Sequence, residues 1–313
     1  MPRHDTVWLQ HGGQRLGLLP TLGGAVAAWQ CQTPQGPVNL WRPWDGSEDL
    51  YRCANFAMVP WSNRISRGGF SDAQGYFHPM QPNRPGEPYP IHGDGWLQAW
   101  QCERHGDHAA TLRLRSRHHG GNPYDYEAEQ HFELHEGGLT HTVTVRHGGD
   151  EPLPYGLGVH PWFERTPGTR LQAPVQGVWT SGQDPIPTGY TTELPDDWNL
   201  TQGIPAHGSF IDNGFGGWGG TARIEWPERG VALSLQMLDF DANAPADARC
   251  CLVYRPPHGD AFCFEPITHP IDAFHMPGRP GLTELAKGEG VALRMRWQVA
   301  DEIDEARLRT SQL

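Results

Sequence analysis

Several stretches of the chain alternate apolar and polar residues with a period of two. They are ATLRLRSRH from Ala110, LTHTVTVRH from Leu139, TARIEWP from Thr221, VALSLQM from Val231 and VALRMRWQV from Val291. Successive side chains of an extended chain point to opposite faces, so each stretch predicts a half-buried strand. CLVYRP from Cys251 and AFCFEP from Ala261 are denser in apolar residues, and Pro257-His258-Gly259-Asp260 between them is turn chemistry, which predicts a hairpin of inner strands. HFELH from His131 to His135 also reads as strand. Helical character is confined to the charged end of the chain, about residues 299–313, which is equally readable as a loose tail. The stretches from Gln74 to Pro90 and from Thr180 to Asn213 are rich in Pro, Gly, Asn and Asp. Connections of that length usually cover or build a site.

Composition sharpens this into one all-β, mostly antiparallel domain over residues 1–313. The 39 Gly and 29 Pro, roughly a fifth of the chain against an average near ~12%, are dispersed and act as turn punctuation. Thirteen Trp, 11 Phe and 8 Tyr provide the area for a substantial core. The net charge of −12 repels a phosphate backbone and argues against a nucleic-acid partner. No run approaches the ~18 apolar residues of a membrane span, and no signal-type apolar region follows Met1-Pro2-Arg3. A soluble cytoplasmic protein, monomeric or homodimeric, is the expectation. The six cysteines form no C-x-x-C pair and read as reduced core residues, with Cys250 and Cys251 facing opposite sides of a sheet.

Four segments set polar residues among aromatics and turn formers: VPWSNRISRGGF around Arg64, PIHGDGW around His92, YGLGVHPWF around His160 and CFEPITHP around Glu265. FIDNGFGGW around Asp212 is a weaker fifth. Aromatic walls with a few convergent charges suit a sugar, whose apolar ring faces stack and whose hydroxyls take directed hydrogen bonds. Each residue also has a plainer reading. Arg64 serves equally as an ion-pair partner, Asp212 before Asn213-Gly214 as a turn residue, and His92 and His160 as two of seventeen histidines. Glu265 follows an apolar run, and a buried carboxylate must be paired, protonated or catalytic; an ion pair with Arg64 would satisfy it. A metal site of His92, Asp94, His160 and Glu265 is chemically admissible, but His92 and His160 lack H-x-H and H-E-x-x-H spacing, so no metal is expected. Gly156 to Gly158 lacks a phosphate loop's third glycine and following helix, so no nucleotide cofactor is expected.

Taken together and in order, NRI with GGF after it, HGDGW, GVHPWF, FIDNGFGGW and FEPITHPIDAF resemble the aldose 1-epimerase (galactose mutarotase) family, in its divergent bacterial branch, from near Leu16 to about Trp297. The resemblance implies a β-supersandwich of the galactose mutarotase type and metal-free, cofactor-free acid/base interconversion of the anomers of a monosaccharide, a hexose or pentose. It implies Glu265 as general base, His160 as general acid, and Arg64, Asn63, His92 and Asp212 as sugar-binding residues; Trp218 is a candidate for stacking on sugar, with core packing as its alternative. Such chemistry requires Glu265 ionised and His160 protonated in the productive state, which an adjacent pair of opposite charges favours. The chain departs from better-known galactose mutarotases where Val159 replaces an Asn, where Pro161-Trp162-Phe163 replaces Tyr-Phe-Asn, and where Asn213 replaces a His. A non-catalytic sugar-binding protein, an epimerase of a phosphorylated hexose drawing on Arg64 and Arg67, and a metal-dependent cupin-like enzyme are the competing readings.

Overall fold

A computed structural model describes residues 4–301. Strands dominate it, and helical geometry among the described residues is confined to short 3-10 turns. No helix there is long and apolar enough to cross a membrane. A nine-stranded antiparallel sheet runs, in spatial order, through Ile204–Pro205, Arg170–Gln172, Thr221–Trp226, Val231–Met237, Gly290–Asp301, Gly138–His147, Asp125–His135, Ala109–Arg117 and Gln101–His105. All five alternating stretches lie in it. Their odd-even burial follows from the pleat: in Asp125–His135 every second side chain from Tyr126 to Leu134 is buried.

A second, eight-stranded sheet runs through Pro187–Thr191, Gly177–Ser181, Ile211–Gly216, Cys250–Arg255, Ala261–Ile267, Gly158–Val159 and Ala57–Met58, with Trp162–Glu164 also paired to Ala261–Ile267. The predicted hairpin is present as the antiparallel pair Cys250–Arg255 and Ala261–Ile267. Every residue of Ala261–Ile267 is buried, because both faces of this inner strand are covered. Cys251 joins the main core while Cys250 joins a second apolar cluster, as adjacent residues on opposite faces must. All six cysteines carry free thiols.

The sequence reading missed the N-terminal four-stranded sheet of Val7–His11, Gln14–Leu19, Ala25–Thr33 and Gly36–Trp41. Its third strand opens with the buried run Ala25-Val26-Ala27-Ala28, which has no alternation to detect. The two long connections carry short strands, Phe77–Pro79 in the first and Pro187–Thr191 and Ile204–Pro205 in the second. At the C-terminus, residues 299–301 continue the strand Gly290–Asp301 and are not tail; the rest of the expected helical or loose segment lies outside the described residues.

The main core lies between the two large sheets. Trp297 of the nine-stranded sheet meets Phe163 of the other sheet with ring centroids 6.1 Å apart, and Trp41 of the N-terminal sheet at 5.5 Å edge-to-face. Trp41 in turn packs on Trp29 at 5.0 Å. The indole nitrogens of Trp41 and Trp297 are buried without a hydrogen-bond partner, so these rings contribute by packing alone. Trp297→Ala is therefore expected to cost about 3–5 kcal/mol in equilibrium denaturation. Trp297→Phe should cost clearly less, since it keeps a ring and removes an unsatisfied N–H; equal losses for the two would refute packing as the ring's contribution.

Candidate active site

An open cleft of about 560 Å³ lies over the eight-stranded sheet, lined by Asn63, Arg64, His92, His160, Asp212 and Glu265 among others. Glu265 sits on the inner strand Ala261–Ile267, with Cys263 two residues before it on the same face. Its carboxylate is buried; Oε1 lies 3.4 Å from His160 Nε2, and Oε2 has no hydrogen-bond partner. Burial pushes the Glu265 carboxyl well above its usual range, the nearby Asp212 adds to the rise, and Arg64 opposes it.

His160 directly follows the short strand Gly158–Val159, where its backbone N–H donates to the Phe56 carbonyl at 3.0 Å. Its imidazole is sandwiched between Phe56 at 4.7 Å and Trp162 at 5.3 Å, both stacked. Edge contacts to Tyr51 and His92, each at 5.3 Å, complete the enclosure. That burial holds the ring's pKa down to about 3. Two aromatic faces and an adjacent carboxylate favour the cation and work against burial. Burial thus disfavours the charged form of each partner taken singly. The ion pair required in the productive state sets this desolvation against the attraction of two charges at 3.4 Å.

His92 and Asn63 hold each other. Asn63 N–H donates to His92 Nδ1 at 3.1 Å, and His92 N–H donates to the Asn63 carbonyl at 3.0 Å. Both have left-handed backbones, with φ of +60° and +53°, conformations that cost of order 1–3 kcal/mol and persist only when the surroundings enforce them. Because His92 Nδ1 accepts, the ring's proton sits on Nε2. Burial, His160 and the nearby Arg64 and Arg84 keep the ring neutral. Gly93 follows at φ +69°, where an added Cβ would stand 1.9 Å from the Val59 carbonyl oxygen, so HGDGW tolerates no side chain there. Asp94 is committed elsewhere, accepting from Tyr126 Oη at 2.5 Å, Ser116 Oγ at 2.9 Å and Gln98 Nε2 at 3.1 Å.

Arg64 is paired, though not with Glu265. Its Nε and Nη2 donate to the two Glu87 oxygens at 2.9 and 3.1 Å, and Nη1 lies 3.6 Å from Asp212 Oδ2. Burial would lower its pKa, but Glu87 and Asp212 prevail and raise it. Asp212, on Ile211–Gly216, is itself raised by burial against the pull of Arg64.

Trp218 is not part of the cleft. It is 2% exposed, packs edge-on against Phe264 at 5.6 Å, and donates to the Thr221 carbonyl. Arg67 is exposed and outside the lining. Tyr51, Arg84, Glu87, Trp162 and Phe210 line the cleft and were not identified from the sequence. Phe210, 52% exposed at the rim, is the available stacking surface in place of Trp218. Only the position of Arg84 and Glu87 in the long Gln74 to Pro90 connection hinted at them.

The four-residue metal set weighed from the sequence does not assemble, since the Asp94 carboxylate is already engaged by Tyr126, Ser116 and Gln98. Among the described residues, His160, Cys263 and Glu265 do offer ligand atoms within 4.8 Å of one another.

The aldose 1-epimerase family model matches residues 5–298. The chain is 34% identical over 298 residues to the uncharacterised protein YphB of Escherichia coli K12, covering 92% of this chain and 98% of that one. A candidate aldose 1-epimerase of E. coli K12 superposes with a TM-score of 0.85 at 32% identity, over 95% of this chain and 99% of that one. A galactose mutarotase-like protein of Clostridium acetobutylicum does so with 0.80 at 16% identity, over 95% and 96%, a likeness of fold. The chain belongs to the aldose 1-epimerase family.

Proposed function

We propose that this protein is a mutarotase that interconverts the α and β anomers of a free aldose by acid/base ring opening. The observation that carries the reading is the Glu265–His160 pair at 3.4 Å in the cleft, with Glu265 Oε2 lacking a partner. A lectin needs hydrogen-bonding groups but no such pair. Glu265 takes the proton of the anomeric hydroxyl while His160 gives one to the ring oxygen, the C1 to ring-oxygen bond breaks, and the free aldehyde forms. Rotation about C1 to C2 presents the other aldehyde face, and the same two groups reverse their roles on closure. Bound sugar hydroxyls supply the hydrogen bonds that lift the pair into its charged arrangement. His92, neutral with its proton on Nε2, donates to the ring-oxygen end. Arg64, held by Glu87 and Asp212, orients ring hydroxyls.

A phosphorylated aldose is the second reading, supported by Arg84. Its guanidinium stacks on Tyr51 at 3.6 Å, makes no hydrogen bond among the described residues, and has its recorded carboxylate contact, Asp49, only at 3.9 Å.

Polarimetry on freshly dissolved α-glucose, α-galactose and arabinose, with glucose 6-phosphate in parallel, tests both. Glu265→Gln should lower turnover by about 10²–10⁴-fold, because an amide cannot take the proton; near-normal turnover would remove Glu265 as the base. His160→Ala should act chiefly on kcat and Arg64→Ala chiefly on KM, and equal losses in both parameters for the two variants would undo that division. Preference for the phosphate ester, abolished by Arg84→Ala, would establish the second reading.

The pair works only when it holds one proton. It gains a second only near the depressed pKa of His160, about 3, and loses its last only above the raised pKa of Glu265. The kcat/KM of the free enzyme is therefore expected to be flat through the range where an ordinary histidine titrates. A sigmoid step centred near about 6.5 would show that His160 titrates as a solvated imidazole.

A further inference from the structure

We infer that His160, Cys263 and Glu265 form a capture site for zinc, or a divalent ion of similar softness, and that occupancy silences the acid/base pair. The inference rests on the proposed mutarotase reading for its effect on turnover and on geometry for the site itself.

The three side chains come from two places in the fold. Cys263 and Glu265 are two residues apart on the inner strand Ala261–Ile267 and share a face. His160 stands above them because Trp162–Glu164 pairs with that strand in a register that sets Trp162 opposite Cys263. The backbones of Cys263 and Glu265 are thus fixed by sheet hydrogen bonds, and that of His160, between two short strands, by its bond to the Phe56 carbonyl. One atom from each lies within 4.8 Å of the others, and His160 Nε2 to Glu265 Oε1 is 3.4 Å. Zinc bound at about 2.0–2.3 Å sets its tetrahedral ligands between three and four ångströms apart, so one pair already fits and the thiol must move by only about 1 Å. Sulfur, imidazole nitrogen and carboxylate oxygen are the ligand types zinc takes, and three protein ligands leave its fourth position to water or sugar on the cleft side.

A thiolate, a carboxylate and a neutral imidazole balance the two charges of Zn²⁺, so the loaded site carries no net charge. Two partnerless buried atoms, Glu265 Oε2 and His160 Nδ1, show that this spot is not locked by protein hydrogen bonds. The bound ion would remove the proton that the pair must pass to the ring oxygen and would occupy the Glu265 lone pairs.

Calorimetric titration of the full chain with Zn²⁺, beside polarimetry with and without chelator, tests this. One ion per chain is expected, with mutarotation lost in step with occupancy and restored by chelation. Cys263→Ala should bind at least about 100-fold more weakly and retain turnover at zinc levels that stop the wild type. Should that variant fold poorly, wild type alone decides: saturating aldose should weaken zinc binding by covering the open position. Zinc inhibition unchanged in Cys263→Ala, zinc bound without loss of turnover, or binding indifferent to saturating aldose would each overturn the inference. So would loss of turnover on chelation, which would mark the ion as a catalyst. Because binding is read directly, a protein with no mutarotation on any sugar would refute the proposed reaction while the zinc site still stood or fell by titration.

Discussion

Carrying the Glu265 carboxylate out of water is the constraint around which the cleft is arranged. An ion in so dry a place costs several kcal/mol, and the simplest remedy is a direct salt bridge. Arg64 is near enough to be felt, yet its guanidinium is turned to Glu87 and Asp212. The diversion has a chemical consequence. A carboxylate clamped by arginine has a low pKa and little appetite for a proton, whereas one left beside a neutral imidazole stays strongly basic once ionised. Glu87 therefore serves Glu265 without touching it, by absorbing the cation that would have tamed it.

A strained cleft needs support beneath it, and the support comes from the same motifs that supply the site. His269, four residues beyond Glu265, accepts from Ser62 N–H at 3.1 Å and fixes the turn ahead of Asn63 and Arg64. Asp272 accepts from Ser66 N–H and Oγ at 2.8 and 2.7 Å, and its own N–H donates to the Arg64 carbonyl. On the other flank Asp94 ties the HGDGW turn to Tyr126 and Ser116 of the nine-stranded sheet. The left-handed backbones of Asn63 and His92 persist because these anchors hold both sides.

Much of this was legible in the sequence, for physical reasons that also mark where legibility ends. Strands with one face in the core and one in water write their geometry as alternation, so the five stretches of the nine-stranded sheet could be read directly. Ala25–Thr33 could not, since the buried run Ala25-Val26-Ala27-Ala28 that opens it carries no period. Motif residues whose chemistry is local, such as His160 at a strand end and Glu265 after a buried run, stood out. Glu87 and Arg84 did not, because their roles depend on a long connection folding back over the cleft. Trp218 sat in a segment of the right chemistry but points into the core, and only the hydrogen bonds of the connection after Ile211–Gly216 decide that.

Seventeen histidines dilute the meaning of any one of them in the sequence, and hydrogen bonding separates three that lie in or beneath the cleft. His92 is locked with its proton on Nε2 by the Asn63 N–H. His269 is locked the other way, its Nδ1–H donating to the Pro270 carbonyl and its Nε2 accepting from Ser62. Neither ring can shift its proton without breaking a buried hydrogen bond, so each acts as a fixed dipole. His160 differs: its Nδ1 has no partner and its Nε2 faces a carboxyl that can give or take a proton. It alone of the three can change protonation without undoing the scaffold. The missing hydrogen bond at Nδ1, a defect in a purely structural residue, fits the proton transfer proposed for this imidazole.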